Sequence, residues 1–597
     1  MGDDRSDASA FMHIERSLGG KCWRPRLTDE RCALAIVQRL GVPDVLGRVL
    51  AARGVGPDDA EAFLDPKLRS LLPDPSHLLD MDKAVARILR AINAGEKIGV
   101  FADYDVDGAC SASLLVRFFS AIGQQLNVYV PDRIKEGYGP NAIALRELKD
   151  QGVSLVITVD CGTTAFAPLK DAADAGLDVI VIDHHVAEPL LPEALAVVNP
   201  NRLDETSPLG QLCAAGMVFM LIIGINRALR NSFWYSEGHD EPKLMDFLDL
   251  VALATIADVV PLTGVNRAFV RQGMSIMARL NNPGISALKD VSGLDEKLEA
   301  WHLGFVFGPR VNAGGRVGEA GLGVRLLSTN DCNEAIGIAT RLDRYNTERR
   351  EIEASVLNSA TLQAEQQAEN GMPLILVAAE GWHPGVIGIV AGRLKETFNR
   401  PACVVSLNEG IGKGSGRSVQ GVNLGPAVIA AQQAGLLING GGHAMAAGFT
   451  VAGDRLGEFR EFLITDIERQ LAGSALTPEL GIDGALSPEA ATVDLIEALN
   501  EAGPFGSGNP RPRFVFPGVA TVNTRVVGTD HVSCFIVAQE SQRRLKAIAF
   551  RAAGTEVGDA LLNARGGILH IAGHLNIDAW QGDRKPQLII EDAARVR

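Results

Sequence analysis

At 597 residues the chain exceeds a single hydrophobic core, and roughly 150 residues per domain predicts about three to five units. Its composition, 46% hydrophobic, 22% charged and 5% aromatic, is that of an ordinary globular protein. A net charge of −15 argues against a general polyanion binder without excluding one, because a carboxylate-rich metal site adds to that count before cations neutralise it.

Residues 1–40 read as a poorly ordered arm leading into helical sequence. The first residues, Gly2-Asp3-Asp4-Arg5-Ser6-Asp7, are polar and acidic, unlike the basic and apolar start of a signal peptide, so a cytoplasmic location is expected. Amphipathic helices are predicted between about residues 45 and 95, interrupted at Asp65-Pro66 and Leu72-Pro73-Asp74-Pro75. From about residue 96 to 200 strand, turn and helix alternate. Asp160 and Asp183 stand 23 residues apart, room for one helix and one strand, which is the arithmetic of a parallel βαβ sheet. Residues 210–280 are mainly helical. Their apolar stretch Leu212 to Ile225 is shorter than the roughly 20 residues of a membrane span and reads as a buried helix.

A polar, charged stretch from about 335 to 370 predicts a long exposed helix joining two domains. A second α/β unit starts at Pro373-Leu374-Ile375-Leu376-Val377 and runs to about 470. After Leu476-Thr477-Pro478 come short β-like runs with Gly, Pro and Asn turns, the pattern of a small β-barrel. The eight cysteines include no Cys-x-x-Cys pair and predict reduced thiols. Cys161, next to Asp160, reads either as a nucleophile or as a small residue filling a tight turn.

Three apolar runs of the βαβ region end in acid. Ile98 to Ala102 precedes Asp103-Tyr104-Asp105-Val106-Asp107-Gly108, Leu155 to Val159 precedes Asp160-Cys161-Gly162, and Val179 to Ile182 precedes Asp183-His184-His185. Parallel strands buried on both faces are continuous Val/Ile/Leu stretches, and ligands bind outside their carboxyl ends. Asp258, at the end of the apolar helix Leu253 to Ala257, adds a fourth acidic position. Asp103-x-Asp105-x-Asp107-Gly108 also resembles a calcium loop, but the twelfth position is Leu114, which cannot chelate. A turn with solvated acids is the other plain reading of that motif.

Mixed oxygen and nitrogen donors suit Mn²⁺, Fe²⁺ or Zn²⁺, whereas oxygen alone favours Mg²⁺ or Ca²⁺. Two such ions activate a water and hold phosphoryl oxygens during in-line displacement, and they offset the cost of a buried carboxylate cluster. Asp160 is the natural bridging ligand, since it lies on the strand between the other two ligand-bearing ends. His185 fits equally as a ligand or as a transition-state donor.

These motifs resemble the DHH phosphoesterase superfamily. Glu380-Gly381-Trp382-His383-Pro384-Gly385-Val386-Ile387-Gly388 and Gly440-Gly441-Gly442-His443-Ala444-Met445-Ala446-Ala447-Gly448 resemble its associated DHHA1 domain. With Gly308-Pro309-Arg310-Val311-Asn312-Ala313-Gly314-Gly315-Arg316 and Pro504-Phe505-Gly506-Ser507-Gly508-Asn509-Pro510, they are similar to the superfamily's bacterial single-strand-specific exonucleases. The resemblance covers about residues 40–597, and Val106 departs from the alanine of many relatives. It implies a parallel-sheet DHH domain with helical elements (41–335), a linking helix (336–371), a DHHA1 domain (372–475) and an OB-like barrel (476–597).

The activity it implies is 5′→3′ degradation of single-stranded DNA to mononucleotides with two Mn²⁺ or Mg²⁺ ions, in recombination and repair. Asp105, Asp107, Asp160, His184 and Asp258 would be metal ligands, while Asp103, Asp183 and His185 line or orient the site. Single-strand-binding protein and an unwinding helicase are the candidate protein partners, and no membrane partner is implied.

Ser415-Gly416-Arg417-Ser418 and the triple glycine before His443 offer hydroxyls, backbone N–H groups and a guanidinium to a phosphate. The resemblance implies that, together with Arg310 and Arg316, they form a pocket for the 5′-terminal phosphate between the two domains, where His383 and His443 touch the scissile phosphate or brace the glycine loops. Residues 511–551 carry seven Lys/Arg against Asp530 and Glu540, a net of +5. Arg511, Arg513, Arg543, Arg544, Lys546, Phe514 and Phe516 suit single-strand binding, although most of the phenylalanines also read as barrel core. A phosphodiesterase of short oligonucleotides or cyclic dinucleotides, and a non-catalytic single-strand-binding scaffold, are the alternatives. A Rossmann-type binder is disfavoured, because the first strand turn offers acids instead of glycines.

Overall fold

The structure, a computed structural model, describes residues 9–237, 239–473, 476–539, 543–563, 567–578 and 583–596. The chain divides into two units, Met1–Lys67 with Thr477–Arg597, and Leu68–Leu476. Its first strand, β1 (Cys22–Pro25), and the helices Glu30–Leu40 and Asp44–Ala51 belong to the first of these. The arm expected over residues 1–40 is therefore structured from residue 9 onward, and residues 1–8 lie outside the described residues. Residues 41–67, expected with the phosphoesterase domain, fall in the barrel unit instead.

The unit Leu68–Leu476 contains two sheets. Strands β2 (Lys97–Ala102), β3 (Leu126–Tyr129), β4 (Val153–Val159), β5 (Asp178–Ile182) and β6 (Ala196–Val198) form an all-parallel sheet of order β3-β2-β4-β5-β6. Side chains alternate across a strand, so Val100, Ile157 and Ile180 enter one core while Phe101, Val156 and Val181 enter another. Burial on both faces is why these strands are unbroken apolar runs. The larger core takes in the helix Ala214–Asn231, the counterpart of the stretch read as a buried helix. Among the described residues no helix is long and apolar enough to cross a membrane.

The second sheet consists of β7 (Ile375–Glu380), β8 (Ala402–Asn408), β9 (Ile411–Arg417), β10 (Asn439–His443) and β11 (Ala446–Ala452), in the order β10-β11-β9-β8-β7. Only its β7–β8 pair is parallel. A 38-residue helix, Cys332–Glu369, connects the sheets. It is not exposed all round. Ala335, Ile338, Ala339 and Leu342 pack into the first core, and Val356, Ala360 and Ala364 pack against β7 and β8.

The other unit closes a barrel from β14 (Phe514–Val527), β15 (His531–Ala538), β16 (Arg544–Ala549), β17 (Ile568–Asp578) and β18 (Lys585–Arg595), which follow the short strands β12 (Glu479–Ile482) and β13 (Gly484–Ala485). Pairing of β14 with β17 completes the ring. Phe514 and Phe516 are buried in its core with Ile36, Leu46, Val49 and Leu50 of the N-terminal helices. Strand β1 pairs in parallel with β12, and Trp23 donates its indole N–H to buried Asp592 at 2.9 Å.

Arg513, expected on nucleic acid, turns inward. It donates to Glu591 at 2.5 and 3.0 Å and to the Gly481 carbonyl, and His574 pairs with the same carboxylate at 2.9 Å. Burial alone would raise the Glu591 pKa, but His574 and Arg513 outweigh it and hold the carboxyl at about 2. That value lies below the ordinary 4.5, so the stabilisation is complete above pH 4.5 and fades as pH falls through about 2. Glu591→Gln should cost about 1–3 kcal/mol at pH 7. In denaturant titrations that gap from the parent should shrink as the pH is lowered; a gap independent of pH would refute the ionic origin.

Candidate metal centre and phosphate pocket

The parallel sheet delivers its acids to one edge. Asp105 caps the helix Val106–Ala121, accepting from Asp107 N and Gly108 N. Buried Asp107 accepts from Ala214 N and Ala215 N at 2.6 and 2.8 Å, at the positive N-terminus of the helix that begins there. Asp160 leaves β4 in the left-handed region at φ 61, a strained conformation for a residue with a side chain. Asp258 ends the helix Leu248–Ala257.

Three overlapping donor groups result, each with its ligand atoms within 4.8 Å of one another: Asp103, Asp105 and Asp160; Asp107, His184 and Asp258; Asp160, His184 and His185. His184 Nε2 lies 3.3 Å from Asp160, and 3.7 Å from both Asp107 and Asp258. Burial first, and then the neighbouring carboxylates, push the Asp103, Asp160 and Asp258 pKa values up. Asp103 Oδ1 and His184 Nε2 are buried without a hydrogen-bond partner. A crowded acid set with two orphaned donor atoms fits divalent cations.

Asp183 is different, because the protein itself occupies its oxygens. It accepts from Thr163 N at 3.0 Å, from His184 N at 2.7 Å and from His185 N at 3.2 Å, and pairs with His185 Nδ1 at 2.7 Å. Burial opposes this, yet the His185 contact holds the carboxyl below its ordinary range. Burial likewise lowers the His185 pKa, but Asp183 outweighs it and raises the imidazole to about 9.

The second sheet faces this edge with cations. On β9 the glycines of Gly412-Lys413-Gly414-Ser415-Gly416-Arg417 meet core side chains, a Cβ at Gly414 falling 2.1 Å from the Phe449 ring. Alternation thus turns Lys413, Ser415 and Arg417 to the opposite face. Arg417 donates to Ser415 Oγ at 3.1 Å. Arg316, on the helix Gly308–Val317, donates to the Gly385 carbonyl at 3.0 Å. Burial, and then Arg133 and Arg349, pull its pKa down to about 10. Arg417 is lowered by burial and by Arg133. Such a cluster of like charges suits an anion.

His383 Nδ1 accepts from Gly385 N at 3.0 Å and so braces the glycine turn. His443 is exposed on β10, its pKa lowered by burial and by the His185–His184 pair. Two expected phosphate contacts are corrected. The Ser418 hydroxyl is buried and donates to Val422 O at 2.7 Å. Arg310 is held by Asp343 at 2.9 Å and by the Val306 carbonyl. Arg511, in the barrel unit, stacks over Phe505 at 5.6 Å.

Comparison with known proteins matches this geometry. The model of the DHH family, N-terminal domain, covers residues 97–255, that of the DHHA1 domain residues 371–469, and that of the RecJ OB domain residues 482–592. The chain is 35% identical over 565 residues to the single-stranded-DNA-specific exonuclease RecJ of Escherichia coli, an alignment covering 92% of this chain and 96% of that protein. With the RecJ exonuclease of Bacillus subtilis it shares 33% over 576 residues, 96% of this chain and 70% of that one.

The chain belongs to the RecJ family of single-stranded-DNA-specific exonucleases.

A crystal structure of RecJ in complex with Mn²⁺ from Thermus thermophilus matches with a TM-score of 0.79 at 28% identity, over 96% of this chain and 79% of that one. Its counterpart with Mg²⁺ matches with a TM-score of 0.73 at 26% identity, over 96% and 78%. The RecJ OB match over residues 482–592 counts against a short-oligonucleotide phosphodiesterase, and the complete donor set counts against a non-catalytic scaffold.

Several supports of the RecJ-family site escaped the sequence reading. Asn199 donates to the His185 carbonyl at 2.8 Å and Asn201 to the His184 carbonyl at 2.5 Å, fixing the turn that carries both histidines. Their signal is two asparagines flanking Pro200 at the next strand end. Tyr138 Oη lies 3.2 Å from His185 Nδ1, and Arg133 sits over the Tyr104 ring at 5.0 Å. Asn312 accepts from Val106 N at 3.1 Å. Cys161 is fully buried, with burial raising its thiol pKa, which favours the turn-filling reading. Cys332 is the exposed cysteine. Titration of the native protein with an aromatic disulfide should give one fast thiol, abolished by Cys332→Ser, with Cys161 reacting only on unfolding. Fast labelling of Cys161 in the native state would revive the nucleophile reading.

Proposed function

We propose that this chain removes nucleotides from the 5′ end of single-stranded DNA by metal-dependent hydrolysis of phosphodiester bonds, releasing mononucleotides in recombination and repair. The observation that carries the reading is the overlap of the three donor groups on Asp160 and His184, in one unit with an anion-ready arginine cluster. Asp107, Asp160, His184 and Asp258 would hold one Mn²⁺ or Mg²⁺ ion, and Asp103, Asp105 and Asp160 a second. When bound, these ions lower the pKa of a water and neutralise phosphate oxygens.

The residues divide the remaining work. Asp160, common to two of the donor groups, would be the ligand shared by both ions. His185 keeps its Nδ1 on Asp183, which leaves Nε2 to donate to a phosphate oxygen as charge develops. Arg316, Arg417 and Ser415, with Arg133 beside them, grip the terminal phosphate, whose extra charge separates it from internal ones. His443 and His383 orient the loops around it. An unwinding helicase and a single-strand-binding protein are the partners that this substrate calls for.

Strands labelled at the 5′ or 3′ end, and duplexes, incubated with Mn²⁺, Mg²⁺ or EDTA test this reading. Metal-dependent release of mononucleotides from 5′ ends of single strands is expected; hydrolysis confined to dinucleotides would overturn it. Asp160→Ala should lower cleavage by roughly 10²-fold or more while strand binding persists, and undiminished turnover would remove its bridging role. Arg417→Ala should cut the preference for 5′-phosphate over 5′-hydroxyl ends by about tenfold, measured by competition between the two substrates.

A further inference from the structure

Between β3 and the helix Ala142–Asp150 the chain forms a loop, residues 130–141, that returns to the acid cluster. It carries Gly137-Tyr138-Gly139. Both glycines lie in the left-handed region, at φ 86 and 82, with nothing within 4 Å of where a Cβ would stand. Conformation, not crowding, is therefore what favours glycine on either side of Tyr138.

Tyr138 meets two parts of the site at once. Its hydroxyl donates to the Asp160 carbonyl at 3.0 Å, and the same oxygen lies 3.2 Å from His185 Nδ1. A phenol has one proton, and the Asp160 carbonyl takes it, so toward His185 the oxygen is an acceptor. Asp183 accepts from the same nitrogen at 2.7 Å, so two acceptors hold the ring with a proton on Nδ1. The tyrosine ring also stands edge-on to the imidazole, their centroids 5.7 Å apart at 65°. Asp160 itself sits at φ 61, a conformation that persists only where neighbours impose it. Ile182 O accepts from its N–H at 3.1 Å, and Tyr138 secures its carbonyl.

Glu136 closes the loop. One carboxylate oxygen accepts from Tyr129 Oη at 2.8 Å and from Asn141 Nδ2 at 3.0 Å, and the other from Asp132 N at 2.7 Å. Tyr129 ends β3, and Asn141 caps the next helix, so a single carboxylate gathers both ends of the loop. Glu136 N in turn donates to the Asp132 carbonyl at 2.8 Å.

We propose that Tyr138 is a positioning residue for the hydrolysis, fixing the Asp160 backbone and the His185 ring together, and that Glu136 is the anchor that holds Tyr138 there. The proposal rests on the nuclease reading above. It assigns both residues to the geometry of the reacting centre, not to the grip on the strand.

The test follows steady-state cleavage of a 5′-phosphorylated single strand with Mn²⁺, by the full chain and its variants. Tyr138→Phe removes only the hydroxyl, and should lower kcat about tenfold or more with KM within about twofold of the parent. Glu136→Gln keeps the size but turns an amide toward donors, and should lower kcat as well. In the double variant the losses should not multiply, because Glu136 acts through Tyr138. An unchanged kcat in Tyr138→Phe would overturn the proposal, and so would a loss confined to KM, the mark of a strand contact. Losses that multiply would remove Glu136 as the anchor of Tyr138. A second readout needs no activity: in EDTA, amide hydrogen exchange over residues 131–141 should quicken in Glu136→Gln. Unchanged exchange would refute the anchor. No cleavage by the parent sinks the nuclease reading and this role with it, whereas cleavage by the parent with unmoved variants sinks this role alone.

Discussion

Buried carboxylates at the end of one parallel sheet repel each other, and much of the surrounding structure answers that repulsion. Asp107 lies on two N–H groups at a helix start, Asp105 on its own helix cap, and Asp183 on three N–H groups and an imidazole. What the backbone leaves uncompensated is concentrated on Asp103, Asp160, Asp258 and His184. Close packing holds this arrangement in place. A Cβ on Gly108 would fall 2.3 Å from the Asp103 carbonyl oxygen, and one on Gly315 2.8 Å from that of Tyr104. The acidic loop is thus clamped between two helices at distances that only glycine permits.

The arginines form the complementary half. Arg316 comes from a helix beside the acidic loop and Arg417 from the second sheet, and the Arg316 contact with the Gly385 carbonyl ties the two together. The 38-residue helix packs into a core of each domain, so its length and apolar flank determine how acids and cations are juxtaposed. Cationic and anionic surfaces built on separate sheets would place a phosphodiester between them, with the negative charge of the acids answered by metal and that of the strand by guanidinium.

Much of the acid cluster was legible because two periodicities coincide there. A strand buried on both faces is an unbroken apolar run, and a run that ends abruptly in acid marks the sheet edge. The ends of β2, β4 and β5 could therefore be read, while β3 and β6, of four and three residues, were too short to stand out. Asn199, Asn201, Tyr138 and Asn312 act through hydrogen bonds whose partners are set by the fold, so their residue type alone says little. Arg310, Ser418 and Arg513 failed in the opposite way: each has the chemistry of a phosphate contact, but Asp343, Val422 O and Glu591 take up that capacity. The expectation of a poorly ordered arm over residues 1–40 fails because its helix Glu30–Leu40 buries Ile36 against strands nearly 500 residues distant, which no local pattern reports.

That last feature bears on biosynthesis. The first 67 residues share a core with the final stretch from Thr477, and Leu68–Leu476 is threaded between them as one uninterrupted insert. A ribosome therefore exposes the apolar flanks of the opening helices long before their partners exist, while the central portion can fold as soon as it emerges. Over that interval these flanks are available to a chaperone or to aggregation, and the final strands release them.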